Sequence, residues 1–135
     1  MKPEDIEENI VKKVCLVIGA GAGIGGSVGS RFAKEGYHAA LCRRSDALGL
    51  QTLVNRIEEE SGSATGHLLN AVEDDAIENL VTEVEKIGPI HTVLFNLGAQ
   101  IGNRSLETTT LKNFELGWKM ACFGLFRLAK VVIPE

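Results

Sequence analysis

The stretch Val14-Cys15-Leu16-Val17-Ile18-Gly19-Ala20-Gly21-Ala22-Gly23-Ile24-Gly25 constrains the fold of this chain more than any other. Val14 to Ile18 is short, continuously apolar and rich in branched side chains, which predicts a strand buried on both faces. Four glycines follow within seven residues, where the backbone can turn tightly with no Cβ in the way. Ile24, Val28 and Phe32 then recur every four residues, one stripe of a helix that stops at Gly36. A strand, a bare turn and a helix N-terminus place free N–H groups around a spot suited to a phosphate anion.

The rest of the chain repeats the alternation. Tyr37 to Cys42 reads as a second strand, and Ser45 or Asp46 can cap a helix with the apolar stripe Leu50, Leu53, Val54 and Ile57. Ala64 to Leu69 reads as a third strand. Glu73, Asp74 and Asp75 favour a helix start, and Ile77, Leu80, Val81 and Val84 carry that helix to a stop at Gly88-Pro89. His91 to Phe95 makes a fourth strand, and a loop runs from Asn96 through Thr109. A last helix, capped by Thr110, extends from Leu111 towards Ile133. Four strand–helix alternations specify an α/β domain with a parallel sheet. Residues 1–12, acidic through Glu4, Asp5, Glu7 and Glu8, are expected to form an N-terminal arm, and residues 13–135 a single nucleotide-binding domain.

Totals narrow the partners. The net charge of −4 comes with no basic block, which argues against nucleic acid or an anionic membrane. No apolar run approaches the roughly 18 residues of a membrane span, and the acidic start lacks the layout of a signal peptide. A cytoplasmic protein is the expectation. Three separated cysteines, Cys15, Cys42 and Cys122, read as reduced thiols. The isolated histidines His38, His67 and His91 predict no metal site.

Two glycine registers compete in the first turn. Gly21-x-Gly23-x-x-Gly26 matches the common dinucleotide fingerprint, whereas Gly19-x-x-x-Gly23-x-Gly25 has a longer first gap. Ile24, as the first residue of the helical stripe, favours the second. The end of the second strand then discriminates between cofactors, since an acidic residue there would bond the ribose 2′-hydroxyl of NAD and an arginine would accept the 2′-phosphate of NADP. The chain offers Cys42-Arg43-Arg44. Two guanidiniums able to pair a phosphate point to NADP, with NADPH preferred over NADH.

With these residues in place, the chain resembles the short-chain dehydrogenase/reductase family over nearly its whole length. Gly19-x-x-x-Gly23-Ile24-Gly25 resembles the family's glycine motif, and Arg43 falls where NADP-preferring members carry a basic residue. The resemblance implies a Rossmann-like, doubly wound parallel sheet of strand order 3-2-1-4. It implies that Gly19, Gly23, Ile24 and Gly25 cradle the pyrophosphate, and that Arg43 and Arg44 take the 2′-phosphate. Asn70 and Ala71 fall where the family borders the adenine with an acidic and an apolar residue. Phe95-Asn96-Leu97-Gly98 falls on its Asn-Asn-Ala-Gly motif, which places Asn96 and Gly98 on the nicotinamide ribose side.

Two departures concern the chemistry. Ala121, within Trp118 to Phe126, stands where the family's helix supplies a catalytic asparagine. The family's serine and Tyr-x-x-x-Lys pair lie after a fifth strand, past Pro134-Glu135, and Tyr37 has Leu41 four residues on. No catalytic residue is therefore expected within these 135 residues. A small carbonyl or alcohol becomes a substrate only if a C-terminal half is supplied. An apolar last helix and an unpaired fourth strand imply an oligomer or pairing with full-length subunits. The alternative readings are an inactive truncated isoform or interaction module, and a methyltransferase-like domain, against which the charge of Arg43 counts.

Overall fold

A computed structural model describes residues 11–97 and 105–134. Residues 1–10 of the expected arm, and Gly98, lie outside the described residues. The four strands are β1 (Val14–Ile18), β2 (His38–Arg43), β3 (Ser63–Leu68) and β4 (Ile90–Phe95). All pair in parallel, in the order β3-β2-β1-β4. The chain thus builds outward from β1 to β3, then crosses to the far side of β1. The order in which strands are added changes direction between β1 and β4, where open α/β sheets leave a crevice at the carboxyl ends of their strands.

Alternation along β1 and β2 feeds two cores. Val14, Leu16, Ile18, Ala40 and Cys42 face helix α3 (Ala76–Glu85), whose Ile77, Leu80, Val81 and Val84 are buried against them. Cys15, Val17, Ala39 and Leu41 face the opposite layer, helices α1 (Ile24–Lys34) and α2 (Ala47–Glu59). Leu50, Leu53, Val54 and Ile57 are the buried stripe of α2, as their spacing predicts, and Asp46 caps it by accepting from the Gly49 N–H at 3.0 Å. Burial pushes the Cys15 thiol up to about 11 and the Cys42 thiol up to about 12, so both stay protonated at neutral pH.

The packing face of α1 differs from the expectation. Gly25, Gly26, Gly29 and Ala33 are its buried residues, while Ile24 is 69% exposed and Val28 and Phe32 are half-buried. The helix lies too close to the sheet for a large side chain: a Cβ on Gly29 would strike the Leu41 side chain. Small residues, whose contribution is proximity, replace the branched stripe as its contact face.

The last helix is also interrupted. Helix α4 (Leu111–Trp118), capped by the Thr110 hydroxyl accepting from the Asn113 N–H at 3.1 Å, gives way to a π-helical turn, Lys119–Phe123, and then to α5 (Gly124–Val132). The Gly124 N–H donates to the Lys119 carbonyl, and the extra residue lets Trp118 and Phe123 stack at 5.2 Å. The turn resets the face of α5, so that Leu128 is buried under β1 and β4 while α4 has no buried residue. Among the described residues no helix is long and apolar enough to cross a membrane.

Candidate functional site

The site lies at the carboxyl ends of the strands and is anchored on Gly19. Its N–H and that of Ala20 both donate to the Cys42 carbonyl, at 3.0 and 2.8 Å, tying the turn to the end of β2. On the other side the Asn96 N–H donates to the Ile18 carbonyl at 2.8 Å, and the Asn96 side-chain amide to the Gly19 carbonyl at 3.3 Å. Gly19 has φ +94°, and a Cβ there would run into the Asn96 carbonyl. A Cβ on Gly25 would run into the Gly19 carbonyl, and one on Gly26 into the Gly21 carbonyl. Both glycine spacings are therefore used in one turn, the Gly19–Gly25 contact belonging to the longer register and the Gly21–Gly26 contact to the shorter. Gly23 is the N-cap of α1, which no side chain caps, and Ile24 is its first residue.

Five sequence-predicted residues come together. Gly19, Arg43, Arg44, Asn70 and Ala71 line a cavity of about 240 Å³. Asn70 shapes its own loop, its side-chain oxygen accepting from the Val72 N–H at 3.4 Å and its amide donating to Glu73 at 3.2 Å. Ala71 is buried. Gly23, Ile24, Gly25 and Asn96 sit around the turn but do not line this cavity.

Sequence reasoning missed the cavity's apolar walls, which include Leu69, Leu97, Leu116 and Met120. The i, i+4 spacing of Leu116 and Met120 on the last helix was the available signal. It also missed a groove of about 630 Å³ between α1 and α2, into which Arg31, Lys34, Arg43 and Arg56 bring positive charge against Asp46 and Glu60. Those cations come from three elements, α1, β2 and α2, so no run of charge marks them in the sequence.

Arg43 is the one described residue that lines both the cavity and the groove. Its side chain is 13% exposed. The Nε–H donates to the Ala20 carbonyl, and one terminal nitrogen donates to the Asp46 carboxylate at 3.0 Å. Chemically, the arrangement offers a cavity with apolar walls, a bare-backbone turn beside it, and a cation held at the junction. That combination suits an anionic, nucleotide-like ligand. Among the described residues no group of three or more His, Cys, Asp or Glu could hold a metal ion.

Comparison with known proteins agrees with this architecture. The profile of the short chain dehydrogenase family matches residues 13–135. A Streptomyces coelicolor protein named as a ketoacyl reductase is 33% identical over 122 residues, covering 90% of this chain and 46% of its own length. Among solved structures, a variant of actinorhodin polyketide ketoreductase with NADPH superposes with a TM-score of 0.79 at 28% identity, covering 90% of this chain and 46% of that one. NAD+-bound xylitol dehydrogenase gives 0.80 at 25% identity, covering 92% and 48%. The chain spans about half the length of these relatives. On the match across nearly all of its residues, the chain belongs to the short chain dehydrogenase family.

Proposed function

We propose that this chain is the NADP(H)-binding half of an oxidoreductase that exchanges hydride between the nicotinamide and a small carbonyl or alcohol. The observation that carries this reading is Arg43, a mostly buried guanidinium held at the junction of a cavity with apolar walls and a cationic groove. An NAD site would instead present an acceptor to the ribose 2′-hydroxyl at this position. The residues fit the dinucleotide. Gly19, Gly23, Ile24 and Gly25 would cradle the pyrophosphate beside the uncapped start of α1. Arg43 and Arg44 would take the 2′-phosphate, Asn70 and Ala71 would border the adenine, and Asn96 and Gly98 the nicotinamide ribose side.

The bound cofactor would supply the hydride chemistry. This chain's own residues bind and orient it, and Ala121, in the π-helical turn, brings no polar group to a substrate. The acid that protonates the developing alkoxide would come from further polypeptide. The family includes both an NADPH-bound and an NAD+-bound structural neighbour, so the preference rests on Arg43. Three free thiols fit the reducing cytoplasm as its location.

Fluorescence titration tests the assignment. A charge-assisted guanidinium–phosphate pair is expected to make NADPH bind about tenfold more tightly than NADH, and Arg43→Gln to remove the difference. Equal affinities in the unaltered protein would overturn it.

A second reading, that the chain works only when paired with other polypeptide, is favoured by its apolar edge. β4 ends the described sheet, and a groove of about 530 Å³ beside it is lined by Phe95, Leu125, Leu128 and Val132. Phe114 and Trp118 on α4, Phe126 on α5 and Ile133 just beyond it add exposed apolar side chains, and exposed apolar surface of this kind marks association sites. Size-exclusion chromatography with light scattering should give a mass above that of one 135-residue chain. A stable monomer would sink this reading.

A further inference from the structure

We infer that Asp46 acts as a brake on NADP selectivity, by holding a carboxylate on the guanidinium that would receive the 2′-phosphate; this rests on the assignment of Arg43 above. Three observations combine. The Asp46 carboxylate spends one oxygen on each of two tasks: Oδ2 accepts from the Arg43 terminal nitrogen and Oδ1 accepts from the Gly49 N–H, each at 3.0 Å. Arg43 is held independently at Nε by the Ala20 carbonyl. Asp46 and Arg43 both line the groove between α1 and α2.

The consequences follow from charge and geometry. An arginine fork has five N–H donors in a plane. Here two of the five are engaged, so an incoming phosphate takes the three that remain on the terminal nitrogens or displaces Asp46. With Asp46 in place the phosphate lies within a few ångströms of its carboxylate, and like charges at that range repel even at the high effective dielectric of a protein surface; with Asp46 displaced, its ion pair with Arg43 is lost. The other charges facing the groove are Arg31, Lys34 and Arg56 on one side of the balance and Glu60 on the other. Arg31 and Lys34 are already paired, with Glu35 at 2.7 Å and Glu60 at 3.1 Å. Asp46 is thus the acid in direct contact with the selectivity cation. Its loss would not release Arg43, because the Ala20 carbonyl still orients the side chain.

Asp46 can be neutralised without disturbing its structural work. It sits at φ +63° as the N-cap of α2. Asparagine is as good a cap and tolerates the left-handed conformation well. Asp46→Asn should raise the NADPH-over-NADH affinity ratio about three- to tenfold, and the gain should shrink as salt screens the repulsion. NADH, which lacks only the phosphate, serves as the internal reference, since damage to the helix would weaken both ligands together. Asp46→Ser, a second uncharged capping residue, should shift the ratio the same way. The inference is overturned if the protein prefers NADPH through Arg43, yet both variants leave the ratio unchanged or lower it. A protein with no Arg43-dependent preference at all would overturn the assignment and this inference with it.

Discussion

Replacing Gly19 by alanine is expected to destabilise the protein by about 3 kcal/mol, adding the roughly 1–2 kcal/mol of a left-handed conformation to the 1–3 kcal/mol of an overpacked contact. Its φ of +94° disfavours any Cβ, and the methyl would press on the Asn96 carbonyl, which belongs to backbone that is itself tied to Ile18. Neither side can give way cheaply. β1 has no exposed residue, and the Asn96 N–H bond closes the end of the β1–β4 pair. Gly36 separates the two contributions. It has nearly the same φ, +90°, but a Cβ there would meet nothing within 4 Å. Gly36→Ala should therefore cost only the conformational part, about 1 kcal/mol. Urea unfolding followed by circular dichroism measures both. If the two substitutions cost the same, the close approach of the turn to β4 is not what demands glycine at position 19.

That contrast also marks what the sequence could disclose. Local patterns were legible where one element settles its own fate. Strand β1, the stripe and cap of α2, and the stripe of α3 can be read from apolar spacing and one capping residue. The order β3-β2-β1-β4 came from family resemblance, because pairing partners are not written in any one stretch. The α1 face was misread for a physical reason. Periodicity detects large apolar residues, whereas this helix is positioned by how near it can come, and Ile24 is left 69% exposed. The π-helical turn is equally silent, since one extra residue per turn leaves the composition of the helix unchanged. At the site, motif spacing points to the glycines and Arg43 as candidates. The sequence offers Ser45 or Asp46 as the cap and does not single out Asp46 as the partner of Arg43, although i, i+3 spacing across a strand end allows it. Contacts between distant elements were beyond reach, and Arg127 is the clearest case.

Arg127→Ala is expected to cost about 3 kcal/mol, at the lower edge of what breaking a buried, hydrogen-bonded ion pair costs because the pair is partly solvated. The side chain is 12% exposed and leaves α5 to bridge three places. It forms a two-pronged pair with Glu78 of α3, at 3.0 and 2.7 Å, and donates to the Ala71 and Glu73 carbonyls at 3.1 Å each. The last two bonds hold the loop that carries Asn70 and Ala71 at the cavity, so the substitution should also weaken cofactor binding without touching the ligand. Acid tells the contributions apart. Hydrogen bonds from Arg127 hold the Glu78 carboxyl below the usual carboxylate range. A carboxyl depressed on folding adds stability that is complete above its unfolded value, about 4.3, and is lost as pH falls through the folded value. The stability gap between the unaltered protein and Arg127→Ala should thus be widest near neutral pH and narrow below about pH 4, as the Glu78 part vanishes. A remnant should persist from the two carbonyl bonds, which do not titrate. Glu78→Gln keeps those bonds and should remove only the pH-dependent part. A gap that stays constant from neutral pH into acid would show that the bonds to the Ala71 and Glu73 carbonyls, and not the ion pair with Glu78, carry the contribution of Arg127.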